Sequence, residues 1–128
     1  MLKKIKKTLL KSKKILIAAH KNPDGDAMGT QLALYEALLN LGKEVSVVSQ
    51  DSVPKIYQFL KYSSVIKNHI EFNEEYDVII TIDAANIDRF GELNDYIKQH
   101  KHFIINIDHH TSNDNYGDLN LVDSEASS

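Results

Sequence analysis

Three short apolar runs in the chain each end in side chains able to bind a metal ion. Ile15-Leu16-Ile17-Ala18-Ala19 runs into His20-Lys21-Asn22-Pro23-Asp24-Gly25-Asp26. Val78-Ile79-Ile80-Thr81-Ile82 ends at Asp83, and Phe103-Ile104-Ile105-Asn106-Ile107 ends at Asp108-His109-His110. Imidazoles and carboxylates with no sulfur among them suit Mn²⁺, Co²⁺, Zn²⁺ or Fe²⁺ better than an all-oxygen Mg²⁺ site; Mn²⁺ is the expectation here. In an extended stretch, residues two apart share a side, so Asp24 and Asp26 are expected to face one cavity, with Gly25 removing bulk between them. Carboxylates gathered in one pocket repel each other unless neutralised. Two divalent ions with Asp83 bridging them would resolve that repulsion. Paired ions of this kind sit roughly 3.5–4 Å apart and clamp the attacking and leaving oxygens of a phosphoryl transfer.

Taken singly these signals are weak. Asp-x-Asp is common in turns, an Asp after a strand often caps a helix, and Asp-His-His alone fits a surface turn. Their joint placement after three separate apolar runs is what points to a metal site. The runs read as strands buried on both faces. Between them, Ala27 to Leu41 carries Met28, Leu32, Leu34, Tyr35, Leu38 and Leu39 at helical spacing and is followed by Gly42, a common helix stop. Val45–Val48 reads as a further strand, and residues 54–62 as a short helix begun by Pro54. Asp88 to His102 has helical spacing at Phe90, Leu93 and Ile97. Strands alternating with helices predict an α/β fold with a mainly parallel sheet and right-handed crossovers. In such a sheet all carboxyl ends lie on one edge, and ligands bind there where the strand order reverses.

Composition narrows the class. A chain of 128 residues predicts one domain, and the absence of cysteine removes disulfides and thiolate metal sites. A net charge of −3 argues against a protein that coats nucleic acid. Lys3, Lys4, Lys6, Lys7, Lys11, Lys13 and Lys14 form one basic stretch. With Leu2, Ile5 and Leu9 at helical spacing, it reads as the solvated face of an amphipathic helix, with phosphate contact as the alternative. No apolar h-region follows it, so no signal peptide is expected. No run approaches the ~20 apolar residues of a membrane span, so no membrane partner is expected. His69, His100 and His102 are expected on the surface, and Tyr35 and Met28 in packing.

These residues resemble the DHH phosphoesterases, a family named for the triplet seen here as Asp108-His109-His110. His20 through Thr30 is similar to the family's first motif, with Thr30 where serine is common. Asp83 with Arg89 is similar to the second, and the likeness continues through Asn113 and Gly117 to Glu125-Ala126-Ser127-Ser128. His20 sets the chain apart from the single-strand exonuclease branch, and Gly25 from the inorganic pyrophosphatases. The branch it resembles most joins oligoribonuclease activity to hydrolysis of 3′-phosphoadenosine 5′-phosphate (pAp) to AMP. The resemblance implies a three-layer Rossmann-like domain and a cytoplasmic hydrolase using two Mn²⁺ ions. It implies short RNA oligonucleotides and nucleotide phosphates as partners, and leaves room for a homodimer of the full-length protein. It further implies one ion held by His20, Asp24 and Asp83, and the other by Asp26, Asp83 and His109. His110 would contact the scissile phosphate or assist the leaving oxygen, Asp108 would orient its neighbours, and Arg89 would be a structural or phosphate contact. Members carry a further aspartate ligand and a second, substrate-binding domain beyond the position of Ser128. The expectation is therefore an amino-terminal DHH domain, residues 1–128, that stops before its last elements. The alternatives are a pyrophosphatase or exopolyphosphatase sharing the metal pair, and a non-catalytic metal- or nucleotide-binding module.

Overall fold

In a computed structural model of the protein, the three apolar runs are neighbouring strands. The structure describes residues 1–19, 25–49, 63–67, 75–84, 90, 94–96, 102–123 and 125, with 25–28 and 63 described by backbone only. The strands are β1 (Lys14–Ala19), β2 (Glu44–Val48), β3 (Ile66–Lys67), β4 (Val78–Ile82), β5 (Ile104–Asp108) and β6 (Leu119–Val122). Helices α1 (Leu2–Lys11) and α2 (Gly25–Asn40) complete the named elements, with a 3₁₀ turn at Ser63–Val65. The sheet order is β3-β2-β1-β4-β5-β6 and every pairing is parallel. This is the doubly wound order, in which the chain moves outward from β1 in one direction and then in the other. The reversal lies between β1 and β4, where Ala19 is in register with Ile82. A ligand crevice is expected outside the carboxyl ends at that point.

Period-two alternation divides the strands between two cores. Ile15, Ile17, Val47, Val78, Ile80, Ile82 and Ile105 join Ile5 of α1 and Leu32 and Leu38 of α2 on one side. Leu16, Ala18, Val48 and Ile79 pack on the other with Ala84, Phe90 and Tyr96. Each buried aliphatic side chain is worth about 1.5–3 kcal/mol relative to exposure, so the central strands are anchored from both faces.

The helix over the first core ends as the sequence predicts. Gly42 has φ +79°; its N–H reaches the Leu39 carbonyl at 3.0 Å and the Lys43 N–H reaches that of Leu38 at 3.2 Å. This is a Schellman closure, and the left-handed residue it needs is glycine.

Several expectations are corrected. α2 begins at Gly25, two residues before the predicted start, so Gly25 and Asp26 are helical. The extended-chain argument for a shared side of Asp24 and Asp26 therefore does not hold, because helical residues turn by about 100° each. The third run is shifted by one residue: Phe103 lies outside β5 and Asp108 is its last residue. Strands β3 and β6 were not expected; two residues cannot display a period, and β6 reads Leu-Asn-Leu-Val after a polar loop. Leu2 is exposed, whereas Ile5 is buried and Leu9 packs on the core. Tyr35 packs as expected. His102 is half-buried rather than on the surface, its ring stacked on Tyr96 with centroids 4.6 Å apart. The predicted helix at 54–62, and His69 and His100, lie outside the described residues. Among the described residues no helix is long and apolar enough to cross a membrane.

Candidate metal centre

The register sets the site. Ile82 pairs with Ile107, and the Asp83 N–H continues that ladder by donating to the Ile107 carbonyl at 3.0 Å. Asp83 then turns out of the sheet with φ +62°. A left-handed backbone is uncommon for a residue with a side chain, although aspartate accepts it better than most. Such conformations persist where surrounding contacts impose them. Here the next carbonyl, that of Ala84, accepts from Tyr116 Oη at 3.1 Å and Asn113 Nδ2 at 3.2 Å.

The turn brings Asp83 Oδ1 to 2.8 Å from His109 Nε2 and 3.9 Å from His110 Nδ1. On β5, Asp108 Oδ1 lies 2.6 Å from His110 Nδ1, and its Oδ2 accepts from Asn113 Nδ2 at 2.8 Å. The Asp108 side chain is fully buried, whereas that of His110 is 45% exposed. The two imidazole centroids are 4.7 Å apart. A buried, carboxylate-rich floor thus opens to solvent on the histidine side.

One ligand atom from each of Asp83, Asp108, His109 and His110 falls within 4.8 Å of the others. Donors on opposite sides of one ion at about 2.0–2.2 Å are separated by at most about 4.4 Å, so small side-chain movements suffice to gather this set around a cation. Two buried carboxylates facing two imidazoles fit a borderline divalent ion. Burial pushes the Asp108 carboxyl upward. Hydrogen bonds from Asn113, His110 and the His109 amide outweigh that and hold it below its ordinary range. It is therefore an anion at neutral pH. Burial drives the Tyr116 hydroxyl strongly upward, so it remains a neutral donor.

Of the residues singled out from the sequence, Asp83, Asp108, His109 and His110 are brought together. His20, Asp24 and Arg89 lie outside the described residues, and Asp26 is placed by its backbone in the first turn of α2. The residues that sequence reasoning missed are those beneath the site. Asn106, buried in β5, donates through Nδ2 to Asn113 Oδ1 at 2.7 Å and Asn120 Oδ1 at 3.0 Å. Tyr116 Oη also approaches Thr81 Oγ1 at 2.8 Å. A signal was present: Asn106 interrupts an isoleucine run, and a buried amide requires partners.

The profile of the DHH family, N-terminal domain, matches residues 14–128. The chain belongs to the DHH family. Bifunctional oligoribonuclease and PAP phosphatase NrnA of Thermus thermophilus is 36% identical over 109 residues, which cover 85% of this chain and 32% of that protein. The Bacillus subtilis protein of the same name is 33% identical over 116 residues, 89% of this chain and 34% of its own length. A probable NrnA of Streptococcus mutans is 33% identical over 115 residues, 89% of this chain and 35% of its own. A crystal structure of an exopolyphosphatase-related protein from Bacteroides fragilis superposes with a TM-score of 0.89 at 27% identity, covering 99% of this chain and 39% of that one. The chain thus spans about a third of the length of the curated relatives it matches. Within this DHH domain, the triplet that names the family supplies three of the four clustered donors.

Proposed function

We propose that this DHH domain is the metal-binding part of a cytoplasmic phosphoesterase that hydrolyses short oligoribonucleotides to mononucleotides and pAp to AMP, using two Mn²⁺ ions. The observation that carries the reading is the convergence of Asp83, Asp108, His109 and His110 at the carboxyl edge of a parallel sheet, beside its point of reversal. The names of the NrnA relatives supply the substrate class. His20 follows β1 directly in sequence, and β1 ends in register with β4. That continuity supports one ion on His20, Asp24 and Asp83, and a second on Asp26, Asp83 and His109. When bound, such a pair of ions stabilises the attacking and leaving oxygens of phosphoryl transfer.

The chain's own groups have separable tasks. Asp108, an anion, accepts from His110 Nδ1 and so fixes the tautomer that leaves Nε2 as the ring's working atom. Protonated, that nitrogen can donate to the departing oxygen, while Asp108 stabilises the imidazolium. Asp83 is held by its backbone turn in reach of both histidines. Arg89 has a supporting role on phosphate or structure, and the full-length protein is open to dimer formation.

The test is phosphate release from pAp and shortening of a short oligoribonucleotide by the full-length protein with Mn²⁺ present. Turnover of both is expected, and inertness towards both would sink the reading. A second reading, exopolyphosphatase, is favoured by the Bacteroides fragilis structure. Polyphosphate and pyrophosphate assayed beside pAp separate the two.

A further inference from the structure

We propose that Asn113 is a positioning residue whose single carboxamide locks the Asp83 turn to the Asp108–His110 pair; its link to catalysis rests on the functional reading above. Asn113 follows the triplet in a turn closed by its own N–H donating to the His110 carbonyl at 3.2 Å. Its side chain then reaches back under the site. Nδ2 faces three acceptors: Asp108 Oδ2 at 2.8 Å, the Ala84 carbonyl at 3.2 Å and Asn106 Oδ1 at 3.2 Å. Oδ1 faces two donors, Asn106 Nδ2 at 2.7 Å and the Asn115 N–H at 2.8 Å.

That pattern leaves no freedom in the amide's orientation. Rotated by half a turn, its oxygen would confront a carboxylate, a carbonyl and an amide oxygen, and its nitrogen would confront two donors. The carboxamide spans three parts of the molecule at once: the end of β4, the end of β5 and the loop leading to β6. The bond to Ala84 acts on the residue next to left-handed Asp83, and the bond to Asp108 acts on the carboxylate that orients His110. Asn113 thus touches neither His109 nor His110 by its side chain in any bond described, yet it sets the relation between the two carboxylates they contact. Asn106 and Asn120 extend the same network into the sheet, where Asn120 Nδ2 donates to the Gly117 carbonyl at 2.9 Å. Buried networks of this kind specify one geometry only when every member is satisfied.

The experiment compares Asn113→Ala, Asn113→Asp, Asp108→Ala and the Asn113→Ala/Asp108→Ala double variant in the full-length protein. Mn²⁺ affinity, kcat and KM for pAp, and the urea midpoint are measured for each, with histidine side-chain NMR of the metal-free protein. Loss of a partner that orients a metal ligand costs about 10–100-fold in affinity or activity. Asn113→Ala is expected to lower Mn²⁺ affinity and kcat by that range with KM little changed. It should move the His110 ring signals towards the positions they take in Asp108→Ala. Asn113→Asp, which keeps shape but removes the donor, should do the same. Added to Asp108→Ala, Asn113→Ala should have less than its full effect, because the bond between the two is already gone and only the Ala84 bond is left to lose. A lower urea midpoint with wild-type Mn²⁺ affinity, kcat and His110 signals would overturn the proposal and leave Asn113 a stability residue. So would full additivity in the double variant. Should the wild-type protein neither bind Mn²⁺ nor hydrolyse pAp, the functional reading falls; the metal-free NMR comparison then decides the positioning role by itself.

Discussion

Past Ile79, which packs in the second core, and buried Ile104, the two faces of strands β4, β5 and β6 are built from opposite materials. One carries Ile80, Ile82, Ile105, Ile107, Leu119 and Leu121, packed with α1 and α2. The other carries Thr81, Asn106, Asp108 and Asn120, joined by hydrogen bonds to Tyr116, Asn113 and the Gly117 loop. Apolar packing is non-directional and tolerates volume-conserving change. A polar network is directional, and each missing partner leaves a desolvated group unpaired. The aliphatic face therefore anchors these strand ends, while the polar face decides where the Asp83, Asp108 and His110 side chains stand. Stability and site geometry are divided between opposite sides of the same strands.

The division can be broken from either side. The largest effect is expected from Asp83→Ala, which removes the carboxylate facing both histidines. Mn²⁺ affinity and hydrolysis by the full-length protein should fall by more than the roughly 100-fold limit seen for supporting partners, and unchanged metal stoichiometry by titration would show the assignment to be wrong. On the aliphatic face, Ile105→Ala should cost about 2–5 kcal/mol in urea unfolding, with Mn²⁺ affinity per folded molecule retained. Loss of affinity at full folding would show that the faces are not separable.

Gly117→Ala probes where the faces meet. A Cβ there would lie 2.8 Å from the Leu119 carbonyl oxygen, 2.9 Å from Asn106 Cβ and 3.0 Å from Asn106 N. Backbone must shift to admit it, at a cost of about 1–3 kcal/mol, and because Asn106 is displaced, metal affinity should fall as well. Equilibrium unfolding beside Mn²⁺ titration measures both.

The smallest effect belongs to the opposite edge of the sheet. Exposed Asp77 accepts the Lys14 and Lys13 N–H groups at 3.0 and 2.8 Å, and these bonds lower its carboxyl below the ordinary 3.8. A lowered folded-state value means that its stabilising contribution is complete above the unfolded value and is lost as pH falls below it. Asp77→Asn should lower stability slightly near neutrality, where the carboxylate contributes, with the difference from wild type shrinking as pH falls below about 4; thermal unfolding from neutrality down through that range is the check.

Much of this was legible in the residues. The runs at 15–19 and 78–82 became β1 and β4, because continuous β-branched and aliphatic segments satisfy a sheet buried on both faces. Gly42 ended α2 because only a residue without Cβ takes that conformation cheaply. The triplet at 108–110 and Asp83 were recognisable as possible ligands by type and by position after strands. The edge strands were not legible, since β3 has two residues and β6 pairs through backbone groups that every sequence carries. His102 was misread because stacking on Tyr96 depends on a partner that periodicity does not reveal.

By itself, then, the sequence determined the chemistry at hand: which side chains could bind metal, that they follow strands, and which family they resemble. Only the tertiary structure decided their relation. Asp83 meets His109 because β4 and β5 are adjacent and in register, and because the chain turns left-handed at one residue. Asn113 joins that arrangement through bonds to β4, to β5 and within its own loop. Strand adjacency and the direction of a side chain arise from long-range packing and hydrogen-bond closure, which depend on all partners at once and are written at no single position.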